Sequence, residues 1–325
     1  MVIKLNPPPG EFASAVVGNQ EAWLGVFSEP GVQAYSLATG QGLGRKVKPG
    51  RGPGEVMHPV VGQAGHGLAV ADGKKLAIML FSPANRLVRE ALTGGTGGAC
   101  SFTGPAAFFA GAVVGFGGCN PEAVGGREGV YLFAASLQGG LRPLLWWAPP
   151  RSPSEHLALA AAGGVLPADP DTLVAVEPFT YRFFRFDQGL RLSGSFQGSR
   201  ARFHEPSLAS LPRGADRDSY FHWRHAQPLV LGLLPLSGGR GLAVLRVPTP
   251  EGSAYWGECY ELGTGKLLSA QKLEAPAARH VAAVLAQNKP GEPYAWLFFR
   301  QSFRPAAACE AWAYPLAELC LVQPE

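Results

Sequence analysis

The 325 residues are 46% hydrophobic and only 16% charged, a balance that can bury a large core and argues against a disordered chain despite 43 glycines and 29 prolines. The formal net charge of +4 comes from scattered Lys and Arg, not from the cationic cluster that releases counterions at adjacent phosphates, so nucleic acid is not an expected partner. No run approaches the roughly 18 apolar residues of a membrane span, and a soluble chain with no span is expected.

From Met1 to Phe12 one lysine is followed by three prolines, where a signal peptide needs an apolar stretch of about 7 to 15 residues. As given, the chain reads as cytoplasmic; it reads as exported or periplasmic if a leader has been removed. A rhythm of about 50 residues then repeats. The first unit has four short strands, Phe12–Gly18, Ala22–Phe27, Val32–Gly40 and Gly42–Val47. The second begins near Val60 and continues through His66–Gly73, Lys75–Ser82 and Asn85–Leu92, its fourth strand being undefined. The third offers two hairpin-like runs, Ala106–Gly118 and Val130–Ala148.

The fourth unit reads Leu157–Leu166, Thr172–Pro178 and Tyr181–Phe196. Its Asp187 and Gly189 suit a hairpin turn, because Asp bonds the local backbone and Gly accepts positive φ. Pro228–Leu236, Gly241–Pro248 and Ser253–Leu273 make the fifth, and His280–Gln287, Pro293–Arg300 and Ala308–Val322 the sixth. Alanine-rich stretches at Ser154 and Pro276 could form helix, but each ends after about ten residues where an inner strand is due. The expected fold is all-β, a single β-propeller domain over 1–325, with six blades of four antiparallel strands, or seven if the third unit splits. Met1–Asn6 could close the ring as an added outer strand on the last blade.

The segment Gly50-Arg51-Gly52-Pro53-Gly54-Glu55, with Pro59 following, resembles the GxGPGE segment of six-bladed propellers of the NHL-like and TolB-like kind. Tyr181–Gly194 resembles the third strand, turn and fourth strand of an NHL-like blade. The resemblance implies a fold shared with WD40-like architectures and a structural role for Gly52, Pro53, Gly54 and Glu55, with the carboxylate accepting backbone hydrogen bonds. It does not imply one activity, since such folds host many.

Propellers gather function on the loops that join blades. Four joints are modest, namely Lys48–Pro59, Thr93–Pro105, Ala148–His156 and Glu274–Arg279. The fifth, 197–228, is a long insertion at the channel rim and holds Arg202, His204, Glu205, Tyr220, His222, Trp223, Arg224 and His225. These are the binding candidates: Tyr220 and Trp223 offer flat faces, Arg224 a planar cation, and Phe221 with Trp223 could equally pin the loop. His204, His222, His225 and Glu205 could hold a metal, although His222 and His225 would point to opposite faces of a strand. Tyr181, Arg182 and Arg185 are expected as exposed neighbours of a buried aromatic strand.

Propeller lactonases hold calcium, and lyases of the fold hold a metal through histidines, but the inner strands here are nearly bare of ligands. GxSxG, HExxH and Walker-type loops are missing. No catalytic residue, resident metal or cofactor is assigned, with calcium or zinc as the minority case. The five cysteines, Cys100, Cys119, Cys259, Cys309 and Cys320, make a poor disulfide or zinc framework; Cys309 and Cys320 either face each other across a hairpin or are buried hydrophobes. The favoured reading is a noncatalytic propeller presenting its rim to a protein partner or small ligand. The alternatives are a metal-dependent hydrolase or lyase, and a structural subunit packing Trp146 and Trp147 against a neighbour.

Overall fold

Turn residues recurring between short apolar runs fold each strand back on its predecessor. A computed structural model describes residues 1–75, 77–92, 100–119, 129–147, 163–205, 219, 223–224, 226–276, 282–289, 291–301 and 307–320. In chain order the strands are β1 (Val2–Lys4), then β2 (Phe12–Gly18), β3 (Glu21–Val26), β4 (Gly31–Ser36) and β5 (Gly42–Val47). Next come β6 (Pro59–Ala64), β7 (Gly67–Asp72), β8 (Ala77–Phe81) and β9 (Leu87–Leu92), followed by β10 (Cys100–Phe109), β11 (Ala112–Cys119), β12 (Gly129–Ser136) and β13 (Leu141–Trp147). The series continues as β14 (Gly164–Asp169), β15 (Thr172–Val176), β16 (Arg182–Phe186) and β17 (Leu192–Gln197), then β18 (Leu229–Leu236), β19 (Arg240–Thr249), β20 (Gly252–Glu261) and β21 (Lys266–Leu273). It ends with β22 (Ala282–Leu285), β23 (Gln287–Asn288), β24 (Tyr294–Arg300), β25 (Cys309–Pro315) and one helical turn, α1 (Leu316–Leu319).

The chain is all-β in a propeller-like arrangement. Among the described residues, four of the five sheets hold a single meander: β2 to β5 with β23 added at the inner edge, β14 to β17, β18 to β21, and β22-β24-β25-β1. The fifth has eight strands, β13-β12-β11-β10-β6-β7-β8-β9, so six is not the number of separate sheets. Its central joint is a short parallel pairing of Gly62 with Ala106 and Gln63 with Ala107. The chain ends meet twice: β1 pairs with β25 through Val2↔Trp312 to Lys4↔Glu310, and β23 pairs with β2 through Val16↔Gln287.

Burial follows position in the meander. All six residues of β7 are buried, whereas outer β5 and β9 are mostly exposed, because neighbouring sheets cover both faces of the inner strands and water reaches the last. First strands approach so closely that side chains are excluded. A Cβ at Gly62 would stand 2.0 Å from the Ala106 carbonyl oxygen, and one at Gly164 would stand 2.5 Å from the Leu233 nitrogen. Gly62→Ala should therefore cost about 2–3 kcal/mol, read as a lower urea midpoint at unchanged m-value.

Several expectations change. The second unit has four clear strands because Pro59–Ala64 is its first. Strand β10 starts at Cys100, six residues before Ala106; β14 runs from Gly164, and residues 157–162 of the expected Leu157–Leu166 strand lie outside the described set. In the Asp187 turn the Asp187 Oδ1 accepts the Arg191 N–H (2.8 Å), but the left-handed residue is Leu190 (φ 55°) and not Gly189. Cys259 is disulfide-bonded to Cys320, Cα to Cα 5.6 Å, and Cys309 is a buried free thiol pushed up to about 12 by burial. The pairing escaped sequence reading because α1 folds the chain back over β20 and β21, where the Ser269 hydroxyl donates to the Leu319 carbonyl (3.1 Å). Trp146 and Trp147 lie on paired backbone, and their side chains are outside the described set.

Candidate functional site

One polar side chain marks where the first strands converge. The Gln287 Oε1 accepts the Gln63 N–H (2.7 Å), while its Nε2 donates to the Ala106 carbonyl (2.9 Å) and more weakly to that of Val165 (3.4 Å). Its backbone pairs with Val16 of β2. One residue thus ties together β2, β6, β10 and β14 through satisfied hydrogen bonds. A second polar cluster lies on the loops.

The most elaborate of these is Glu177–Tyr181, between β15 and β16. It is clasped by both ends of the long insertion. At the insertion's start the Gln197 Nε2 donates to the carbonyls of Thr180 (2.6 Å) and Tyr181 (3.2 Å), and the Gly198 N–H donates to the Tyr181 carbonyl (2.8 Å). Toward its end Trp223, buried, packs tilted on Phe179 with centroids 5.8 Å apart, and just beyond it the Val230 N–H of β18 donates to the Pro178 carbonyl (2.9 Å). Gly198 is required: a Cβ there would lie 2.5 Å from the Tyr181 ring.

Tyr181 is the pivot. It adopts a left-handed φ of 54°, unusual for a bulky residue, and is fully buried, which corrects its expected exposure. Its hydroxyl donates to the Glu258 Oε2 (2.8 Å), as does that of Tyr260 (2.6 Å), whose oxygen in turn accepts the Ser199 N–H (2.7 Å). Glu258 is 0% exposed. Its other oxygen faces the Arg202 Nη1 at 3.4 Å, and the Arg202 guanidinium lies 4.4 Å from the centre of the Trp256 ring. Burial, reinforced by the neighbouring carboxylate and phenol, pushes the Tyr181 hydroxyl well above its ordinary range, and burial does the same to Tyr260. Both phenols therefore remain proton donors.

Glu177, at the other end of the loop, is 7% exposed and accepts a hydrogen bond from the Thr180 hydroxyl. Burial first, and then Glu205, push its carboxyl up from 4.5 to about 7 against the pull of Arg182.

The remaining candidates are dispersed. His204 and Glu205 are exposed; Arg224 is half-buried and its carbonyl accepts the Arg246 Nη2 (2.6 Å). Tyr220, His222 and His225 lie outside the described residues. Among the described residues no three His, Cys, Asp or Glu side chains are placed to hold a metal. The Gly52–Glu55 turn is tied to itself and to β7–β9. Gly52 N–H donates to the Glu55 Oε2 (2.8 Å), Gly54 N–H to the Glu90 Oε2 (2.8 Å), and the Lys75 ammonium donates to the Gly52 carbonyl (2.6 Å) while pairing with Glu90. Buried Asp72 accepts backbone N–H groups of Met57, His58, Lys74 and Lys75.

Sequence reading missed Glu177, Glu258, Tyr260 and Gln287. The signal available for Glu258 was an acid at the centre of an apolar strand, Trp256-Gly257-Glu258-Cys259-Tyr260.

No known protein family and no curated protein matches the chain. Solved structures do resemble it over nearly its whole length. A member of the DUF4221 family from Bacteroides vulgatus is 9% identical with a TM-score of 0.59, covering 97% of this chain and 96% of that one. A candidate exported protein from Bacteroides fragilis is 8% identical with a TM-score of 0.54, covering 97% and 94%. At such identities the likeness extends to the fold alone.

Proposed function

We propose that the chain is a noncatalytic propeller that presents its rim to a protein partner or small ligand, with the 197–228 connector as the principal contact element. The observation that carries this reading is the double anchoring of the connector on Glu177–Tyr181. The described ends of the insertion, Gln197–Glu205 and Trp223–Arg224, are held by hydrogen bonds and a buried aromatic, and groups already fixed in place lose less freedom on binding than loose ones would.

The blade count belongs to this proposal. Only two residue pairs join β6 to β10, while all other pairings in the eight-stranded sheet are antiparallel neighbours. We take that sheet as two blades touching at their inner strands, six blades in all, in keeping with the NHL-like and TolB-like resemblance of Gly50–Glu55. The Cys259–Cys320 bond supports an oxidising, exported setting over the cytoplasm.

A photo-crosslinking amino acid placed at His204 or Glu205 should give a discrete adduct in the native source, and the same probe at Lys266 on outer strand β21 should not. Adducts at Lys266 alone would overturn the rim assignment. Near-stoichiometric calcium, zinc or manganese in protein never exposed to chelator would favour the metal-dependent alternative.

A further inference from the structure

Cys259 and Cys320 are bonded to each other and Cys309 is a buried free thiol, which leaves Cys100 and Cys119 of the five cysteines. The backbone brings that pair together. Strands β10 and β11 reverse through Ala110 and Gly111, whose left-handed φ of 49° and 79° suit a two-residue hairpin turn. Antiparallel pairing then runs from Phe109↔Ala112 to a last pair, Cys100↔Cys119. The two cysteines hold directly opposite register positions at the open end of the hairpin. Such positions have Cα atoms about 4.5–5.5 Å apart, inside the range of about 4.4–6.8 Å that a disulfide spans. They also share one face of the sheet, and a slip of either strand by one residue would separate them. The register is pinned on both flanks: β10 pairs with β6 through Ala106↔Gly62 and Ala107↔Gln63, and Cys119 stands opposite Gly129 of β12.

The ladder gives a bond there a task. Register shifts between Phe102 and Ala106, so the pairs Cys100↔Cys119, Ser101↔Gly118 and Phe102↔Gly117 are cut off from the four pairs that follow the turn. Two of these three pairs set a glycine opposite, which offers no side chain to pack across the strands. Phe102 is buried against Phe133, ring centroids 4.3 Å apart; beyond it the ladder has only Ser101 and Cys100 left.

We propose that Cys100 and Cys119 form a second, cross-strand disulfide that staples the open end of the β10–β11 hairpin. The pairing rests on the oxidising setting proposed above. It forms by thiol–disulfide exchange with a disulfide-bearing oxidant: the thiolate of one cysteine attacks the oxidant's disulfide and releases one thiolate, and the second cysteine then displaces the other half. In net, each cysteine loses one proton and one electron, and the oxidant takes up both pairs and leaves as two thiols.

Full-length protein isolated from its native source with N-ethylmaleimide present from lysis onward, then unfolded in the same reagent, digested without reduction and mapped by mass spectrometry, decides the matter. Peptides joined through Cys100 and Cys119 are expected, beside the Cys259–Cys320 pair and an alkylated Cys309. Alkylated Cys100 and Cys119 beside an intact Cys259–Cys320 pair overturn the staple and leave the oxidising setting standing, whereas alkylation of all the cysteines overturns both. Either cysteine joined to a different thiol also overturns the staple. In hydrogen exchange, protection of the Cys100–Phe102 amides should fall about tenfold in Cys119→Ser; unchanged protection would show that a bond at this position holds nothing. The map needs only wild type, so a variant that fails to fold leaves the pairing itself open to refutation.

Discussion

Glu258→Ala is expected to lower the unfolding free energy by about 3–5 kcal/mol, a large part of the 5–15 kcal/mol of a typical domain. The carboxylate is fully buried and is the common acceptor for Tyr181, Tyr260 and Arg202. Deleting it removes the shared acceptor of two buried phenol hydroxyls, and a buried hydroxyl left without one costs about 1–3 kcal/mol. The loss should also be directional. Tyr181 holds the Glu177–Tyr181 loop and Ser199 is bonded through Tyr260, so the start of the connector should become a site of rapid tryptic cleavage at Arg200 and Arg202. Glu258→Gln keeps an acceptor for one or both phenols and should cost about half as much. A denaturation midpoint unchanged in Glu258→Ala would show that the cluster contributes nothing to the fold.

Removing the disulfide should have an effect of similar size. Cys259 and Cys320 are separated by 61 residues, and in the chain-entropy view closing a loop of that length stabilises by about 4 kcal/mol, with native-state strain able to reduce it. The double variant Cys259→Ala, Cys320→Ala, compared with wild type in reductant and in oxidising buffer, should match reduced wild type and fall well below the oxidised protein. The damage should be local as well as global, because Cys320 follows α1, whose Leu319 packs with the main core. Free thiol titration in oxidised, unfolded protein gives an independent check. Modification of both Cys259 and Cys320 there would exclude the bond and with it the argument for an oxidising compartment.

Much of the fold was open to reading in one dimension. Short apolar runs such as Thr172–Val176 and the turn at Asp187 place strands correctly because strand and turn formation depend on neighbours a few residues apart. The alanine-rich segment before Gln287 was read as strand and contains β22. Turn detail was less legible: Leu190 takes the left-handed position beside an available Gly189, since its side chain is drawn into the core.

The site was legible in outline only. Trp223 was weighed as a ligand face or a pin, and it packs on Phe179. Tyr181 was read as an exposed neighbour of a buried aromatic strand, yet it is fully buried, because the strand pattern cannot show that a second meander will cover it. Glu177, Glu258 and Gln287 look in sequence like incidental polar residues at strand ends or within strands. Each acquires its role from partners contributed by other meanders.

By itself, then, the sequence determined the all-β, propeller-like class of fold and the position of most strands, which follow from local periodicity and turn chemistry. Tertiary structure alone decided which strands meet across the Gly62–Ala106 joint, that Cys259 finds Cys320, and that Glu258 collects Tyr181, Tyr260 and Arg202. The physical reason is that these contacts span up to 77 residues within the cluster, and a buried polar group is satisfied by whatever partner the closing of the sheets brings within about 3 Å, which no local pattern encodes.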